Sequence, residues 1–188
     1  MPGGPLALEI ERRFLVAGQE WLRHSLVEMR LRQGYLSRPG DGLTVRVRTS
    51  EPLRGGREAQ AWLTLKAPSP CGRPQASAGP ALSRLEFEYA IPQADAEAML
   101  ELTEQWLVKR RHALDLPGGQ WVLDVFEGDN APLLVAEVEL ERADQPVAVP
   151  AWCVRELTGR HDLSNAALAA RPLAAWSDAE RRELLGGR

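Results

Sequence analysis

The stretch Leu8-Glu9-Ile10-Glu11-Arg12-Arg13-Phe14-Leu15-Val16 decides how the rest of the chain is read. Side chains two apart on a strand share a face. Glu9, Glu11 and Arg13 therefore point one way, while Ile10 and Phe14 point the other. The same arrangement recurs along the chain. Glu86 with Glu88 and Glu137 with Glu139 repeat the acidic doublet, and Arg46 with Arg48 and Lys109 with Arg111 form basic doublets. Lys66 and Asp124 occupy equivalent positions beside Leu or Val neighbours. Together with Arg13 these make seven carboxylates and six cations on one set of strand faces.

An ordinary wet face mixes Thr, Ser, Gln and Lys. Like charges about 7 Å apart on one strand repel by about 2 kcal/mol at an effective dielectric of about 20, so three Glu-x-Glu doublets need a reason. The alternation predicts strands at Leu6 to Val16, Met29 to Leu36, Gly42 to Thr49, Gln60 to Ala67, Ser83 to Ile91, Leu107 to Leu114, Gln120 to Phe126 and Leu133 to Glu141. Eight strands of this length suffice to close a barrel. If the apolar positions face outward, the charged faces line the interior, which then needs ions and water because unpaired buried charge is costly. Oxygen-only carboxylate clusters suit Mg²⁺ or Mn²⁺, and Arg and Lys suit phosphate oxygens. A phosphate chain bound with a divalent cation satisfies both sets.

Outward from the strands, Pro39-Gly40-Asp41-Gly42, Gly55-Gly56, Gly118-Gly119 and Gly128-Asp129-Asn130 read as turns. Ala67 to Ala81, with four prolines, reads as a loop. Helices are expected at Gln19 to Val27, at Gln93 to Trp106, from Pro150 to a stop at Gly159, and after Ser177, whose spacing to Glu180 makes a capping box ending at Gly186. The chain has 188 residues, 44% hydrophobic and 26% charged, which suits one domain over 1–188 with core motifs in 8–141 and a helical part over 150–188. The expected class is α+β: an eight-stranded antiparallel β-barrel, or tunnel, with flanking helices.

Several function classes are set aside on composition. A formal charge of −3 argues against a broad nucleic-acid surface. No apolar run is long enough to span a membrane and residues 1–8 lack a signal-peptide pattern, so a cytoplasmic protein without membrane contact is expected. Cys71 and Cys153 have no metal or redox spacing and are read as free thiols. His24, His112 and His161 are scattered without zinc spacing, and His112 is expected to face away from the charged set. Trp121, Trp152 and Trp176 are assigned to packing, and no Walker-type loop or nucleophile elbow is present.

Taken in order, Glu9-Ile10-Glu11-Arg12-Arg13, Gln33-Gly34-Tyr35-Leu36, Val45-Arg46-Val47-Arg48, Leu63-Thr64-Leu65-Lys66, Arg84 to Tyr89, Lys109-Arg110-Arg111, Asp124-Val125-Phe126, Ala136 to Leu140 and Ser164-Asn165 resemble the CYTH domains, or triphosphate tunnel metalloenzymes. The resemblance implies that Arg13, Arg46, Arg48, Lys66, Lys109 and Arg111 grip a triphosphate, with Tyr35 adding a hydrogen bond or only packing. It implies that Glu9, Glu11 and Glu139 hold one metal, and that Asp124 and Glu137, with Glu86 and Glu88 nearby, serve a second that orients the attacking water. Arg13, Lys66 and Glu137 are its catalytic candidates. The activity it implies is divalent-metal-dependent hydrolysis of the terminal phosphoryl group of a linear triphosphate, with inorganic tripolyphosphate the leading substrate. Adenylate cyclase, thiamine triphosphatase, nucleoside triphosphatase and a non-catalytic polyphosphate-binding module are the alternatives, and either a monomer or a homodimer is compatible.

Two positions depart from that pattern. Arg13 stands where the signature usually has Lys, and Val122 stands where many bacterial members have Glu. The first keeps the charge on a larger fork. The second removes one acidic wall position.

Overall fold

A computed structural model describes residues 8–37, 42–54, 58–68 and 82–186. Its strands are β1 (Leu8–Val16), β2 (Ser25–Tyr35), β3 (Thr44–Arg54), β4 (Gln60–Pro68), β5 (Leu82–Ala90), β6 (Trp106–Leu114), β7 (Gln120–Phe126), β8 (Leu134–Glu139) and β9 (Cys153–Glu156). The helices are α1 (Gln93–Leu100), α2 (Asn165–Ala170) and α3 (Asp178–Leu185). The pairings are antiparallel in the order β5-β4-β3-β2-β6-β7-β8-β1-β9, and β1 additionally pairs with β5 from Leu8↔Leu85 to Glu11↔Leu82. Of the expected eight-stranded antiparallel barrel with flanking helices, the structure bears out a mostly antiparallel sheet with a few helices. The turns at Gly118-Gly119 and Gly128 form with positive φ, as that reading required. Residues 39–41, 55–56 and 69–81, including Cys71, lie outside the described residues.

Three expected helices are corrected. Residues 150–159 contain a strand, not a helix, and the reason is hydrogen-bond demand on β1. Its pairing with β5 ends at Glu11, leaving the backbone of residues 13–17 on that edge open. β9 fills it through Phe14↔Glu156, Leu15↔Arg155 and Val16↔Cys153, flanked by Ala17 N→Trp152 O and Leu157 N→Arg13 O. The strand count among the described residues is therefore nine. Between Gln19 and Val27 only a 3-10 turn forms at Glu20–His24, because Ser25 onward is claimed by pairing with β6. The helix from Gln93 stops at Leu100, and Trp106 already belongs to β6. Thr103 ends it by donating its hydroxyl to Tyr35 O, and Leu100 and Thr103 pack against Gly34, where a Cβ would lie 2.9 Å from both side chains. The capping box at Ser177 and Glu180 opens α3 as predicted.

Which face is buried changes along the strands, and this places the site. On β1, β6 and β8 the face carrying Arg13, Lys109 and Glu137 turns apolar at Leu15, Leu107 and Val135. Those three join Tyr35, Leu157, Leu163, Leu168, Leu173, Trp176 and Leu184 in one buried cluster, so the C-terminal segment is packed over this end of the charged face. The opposite face of β1, β7 and β8 is covered separately, with Phe14, Trp121, Ala136 and Val138 under Trp21 and Trp152. Burying a large apolar side chain stabilises by about 1.5–3 kcal/mol, so both coverings are held firmly. Trp121, Trp152 and Trp176 are packing residues, as expected.

Candidate functional site

Cross-strand register converts the charged doublets into one wall. Arg46 and Arg48 on β3 lie opposite Thr64 and Trp62 on β4, and Thr64 and Lys66 lie opposite Glu88 and Glu86 on β5. Arg46 Nη2 donates to Thr64 Oγ1 at 3.1 Å and to Glu88 Oε2 at 3.2 Å, and approaches Glu86 at 3.5 Å. Arg48 binds Glu88 at 3.1 Å and Lys66 binds Glu86 at 3.1 Å. Burial alone would raise the Glu88 carboxyl, but Arg48, the Thr64 hydroxyl and Arg46 together hold it below the usual carboxylate range. Burial, reinforced by Arg46, pushes the Arg48 guanidinium down to about 10. The Nε atoms of both arginines are buried and meet no hydrogen-bond partner among the described residues.

A second wall forms where β6, β7, β8 and β1 meet. Asp124, fully buried, accepts from Arg111 Nε and Nη2 at 2.7 Å each and from Lys109 Nζ at 2.5 Å. Arg111 Nη2 also donates to Glu137 at 2.8 Å, and Arg13 Nε donates to the other oxygen of Glu137 at 3.0 Å. Burial pushes the Lys109 ammonium down to about 8, against the pull of Asp124. For Asp124 and Glu137, burial is outweighed by the neighbouring cations, Arg111 first, so both carboxyls titrate below their ordinary range.

The two walls enclose a cavity of about 380 Å³. Arg13, Arg46, Arg48, Lys66 and Arg111 line it, as do Glu11, Glu86, Glu88, Glu137 and Glu139. Tyr35 lines it too, its hydroxyl accepting from Gln33 Nε2 at 2.7 Å, with its acidity pushed to about 12 by burial. Lys109 and Asp124 belong to the same ion-pair network but lie behind the wall, 1% and 0% exposed. The side chain of Glu9 falls outside the described residues. Val122 stands opposite Glu137 in the β7–β8 register. His112 faces the other side of β6, buried against Trp21 and hydrogen-bonded to Ser25 at 2.9 Å. Cys153 is a protonated thiol, its pKa pushed by burial to about 12.

Residues the strand pattern did not single out complete the cavity. Arg160, His161, Ser164 and Asn165 line it from the segment that precedes and opens α2. Arg13 Nη2 donates to the Leu163 carbonyl at 3.0 Å, and Lys109 Nζ donates to Asn165 Oδ1 at 3.1 Å. One cation from each of β1 and β6 is thus tied to this segment. The legible signal was slight: a polar Ser164-Asn165 pair ahead of an otherwise apolar Ala-Ala-Leu-Ala-Ala run.

The donor set suits a hard divalent cation. Glu11 and Glu139 are directly opposed on β1 and β8, and both line the cavity. Like charges facing across strands destabilise the pair unless a cation lies between them, and carboxylate oxygens are the ligands Mg²⁺ and Mn²⁺ favour. Among the described residues no group of three carboxylate, histidine or cysteine side chains is already gathered. Glu86, Glu88, Asp124 and Glu137 form ion pairs with Arg and Lys of the same walls.

These ion pairs also set the acid limit of the fold. Asp124 and Glu88 have depressed folded-state pKa values, so each stabilises the fold fully above its unfolded value, about 4. That contribution is lost as pH falls through the depressed values. In EDTA, the melting temperature is expected to hold from about pH 7 to 5 and to fall below about pH 4. A melting temperature unchanged down to about pH 2 would show that these carboxylates are not held by their cations.

Comparison with known proteins adds independent observations. The family model of the CYTH domain matches residues 7–171. An inorganic triphosphatase of Acetivibrio thermocellus is 34% identical over 167 residues, covering 87% of this chain and 94% of that protein. An inorganic triphosphatase of Nitrosomonas europaea is 36% identical over 165 residues, covering 86% and 96%. The crystal structure of the inorganic triphosphatase NE1496 superimposes with a TM-score of 0.57 at 32% identity, covering 86% of this chain and 93% of that one.

Proposed function

Since the chain belongs to the CYTH domain family, we propose that it is a divalent-metal-dependent triphosphatase that releases the terminal phosphoryl group of a linear triphosphate, with inorganic tripolyphosphate its preferred substrate. The observation that carries this reading is the cavity itself, with Arg46, Arg48 and Lys66 on one wall and Arg13 and Arg111 on the other. Its acidic and basic groups neutralise each other in the free protein. A polyanion arriving with divalent cations replaces both sets of partners at once. The inorganic triphosphatases of A. thermocellus and N. europaea support the choice of tripolyphosphate. Pairing of β1 with β5 supports a sheet wrapped into an eight-stranded tunnel, β9 being an addition at the edge of β1.

Glu11 and Glu139, with Glu9 by family resemblance, would hold Mg²⁺ or Mn²⁺, and Glu86, Glu88 and Glu137 are within the same cavity for a second ion. An ion held there would supply charge neutralisation on the phosphate chain and a lower cost of ionising the attacking water. Arg46, Arg48 and Lys66 hold the phosphate chain by charge-assisted hydrogen bonds. Arg111, braced by Asp124 from behind with Lys109, presents a fixed fork from the other wall. Arg13 stabilises charge on the transferred group, where fixed cations act without reorganising. Glu137 is held ionised by Arg111 and Arg13, so it can accept but not supply a proton at neutral pH. Lys66 offers a mobile point charge to the departing end.

The same reading takes residues 1–188 as one domain, monomeric or homodimeric, acting in the cytoplasm on a free small molecule and on neither nucleic acid nor membrane. The formal charge of −3 supports the absence of a nucleic-acid role. Among the described residues no helix is long and apolar enough to cross a membrane.

Phosphate release from tripolyphosphate, ATP and thiamine triphosphate, each with Mg²⁺, Mn²⁺ and EDTA, tests the proposal. Release should depend on metal, be fastest with tripolyphosphate and return to background in EDTA. Cyclic AMP plus pyrophosphate from ATP would instead establish a cyclase. Stabilisation by triphosphate with no turnover under any metal would establish a binding module.

A further inference from the structure

Asn165 is the first residue of α2, directly after its cap Ser164, and it lines the cavity. Its Oδ1 accepts from Lys109 Nζ at 3.1 Å. An ammonium only donates, so the amide oxygen must face Lys109 and the amide nitrogen must face away from it. Among the described residues Nδ2 meets no acceptor, and it is not sealed from the cavity. A neutral double donor therefore stands among the charged side chains that make up most of the lining.

The segment carrying it is fixed from several sides. Leu163 and Leu168 are fully buried, and the Leu163 carbonyl accepts from Arg13. Asn130 pins α2 by donating Nδ2 to Leu168 O at 3.1 Å and accepting from Leu173 N at 2.9 Å. Such a donor meets a ligand without first being ordered.

We propose that Asn165 is a substrate-binding residue, donating from Nδ2 to a non-bridging oxygen of the phosphate chain while Oδ1 stays on Lys109. It extends the triphosphate reading of the cavity and depends on it. The amide lets the C-terminal segment read the anion without adding charge, and it bonds the bound chain to the support of Lys109.

Asn165→Asp keeps the brace on Lys109 while removing the donor. The carboxylate still accepts from Lys109, so the free protein should melt at or above the wild-type temperature. The donor is lost and a negative charge faces the anion, so the Kd for inorganic tripolyphosphate, measured by calorimetry in EDTA, should rise by more than about tenfold. Asn165→Ala should raise it by about tenfold. Binding by Asn165→Asp like wild type would overturn the inference, because lost donor and added charge should both weaken it; Asn165→Asp weakened only at low salt, with wild-type affinity at high salt, would assign Asn165 to supporting Lys109 alone. In the wild-type protein, the Asn165 side-chain NH₂ resonances should shift on titration with tripolyphosphate, and unmoved resonances overturn the assignment without any variant. Failure of the wild type to bind tripolyphosphate both in EDTA and with Mg²⁺ would overturn the triphosphate reading and this inference with it. Wild-type binding matched by Asn165→Asp removes only the inference.

Discussion

The Asp124→Ala protein is expected to melt about 10 °C below wild type, from a loss of about 3–5 kcal/mol at about 2–4 °C per kcal/mol. Asp124 is fully buried and is the carboxylate shared by Lys109 and Arg111. Without it the Lys109 ammonium, 1% exposed, keeps Asn165 as its one acceptor among the described residues. Breaking a buried pair costs more than replacing the whole pair, because the surviving charge stays desolvated. Asp124→Asn should be nearly as damaging, since an amide offers one acceptor oxygen where the carboxylate offered two and turns its NH₂ toward a cation. Asp124→Ala with Lys109→Met should recover much of the loss, because the desolvated ammonium is removed as well. Thermal melts of the single and double variants in EDTA decide the matter. A single variant within about 2 °C of wild type would show that water or relaxation replaces the carboxylate.

That prediction rests on a feature the sequence could not display. Alternation tells which face a side chain occupies, and on that level Glu9 to Arg13, Arg46 with Arg48, Lys66, Glu86 with Glu88, Lys109 with Arg111, Asp124 and Glu137 with Glu139 were readable as one set. Depth along that face is not encoded in a period of two. Lys109 and Asp124 have the same alternation as Arg111 and Glu137, yet they sit behind the cavity wall. What sets their depth is the C-terminal segment packed over the adjoining end of the sheet. The strand at Cys153–Glu156 was hidden for a related reason. Four residues with no clear alternation become a strand because the edge of β1 beyond its β5 pairing needs partners. The polar wall from Arg160 to Asn165 likewise owes its place to Leu157, Leu163 and Leu168, whose burial depends on residues far away in sequence. Capping chemistry, being local, was legible at Ser177.

Arg46→Ala is expected to lower kcat/KM for tripolyphosphate by about 10²–10³, the loss seen when one preorganised donor to developing charge is removed. The fold should hardly notice. Glu88 keeps Arg48 and the Thr64 hydroxyl, and Glu86 keeps Lys66, so no buried carboxylate is stranded as Asp124→Ala strands Lys109. The loss should appear in kcat/KM at every concentration of Mg²⁺ or Mn²⁺, because Arg46 acts on the phosphate chain rather than through the acidic donors. Arg46→Lys should recover part of it, since a point charge restores attraction but not the planar guanidinium whose Nη2 bonds both Thr64 and Glu88. Activity within about threefold of wild type would remove Arg46 from the transition-state contacts, since about 0.65 kcal/mol is too little for a donor to developing charge. A loss matched by an equal drop in folded fraction would assign Arg46 to structure instead. Asp124 and Arg46 thus make opposite predictions from similar geometry: one braces a cation that would otherwise be stranded, the other is a cation whose removal leaves its neighbours paired.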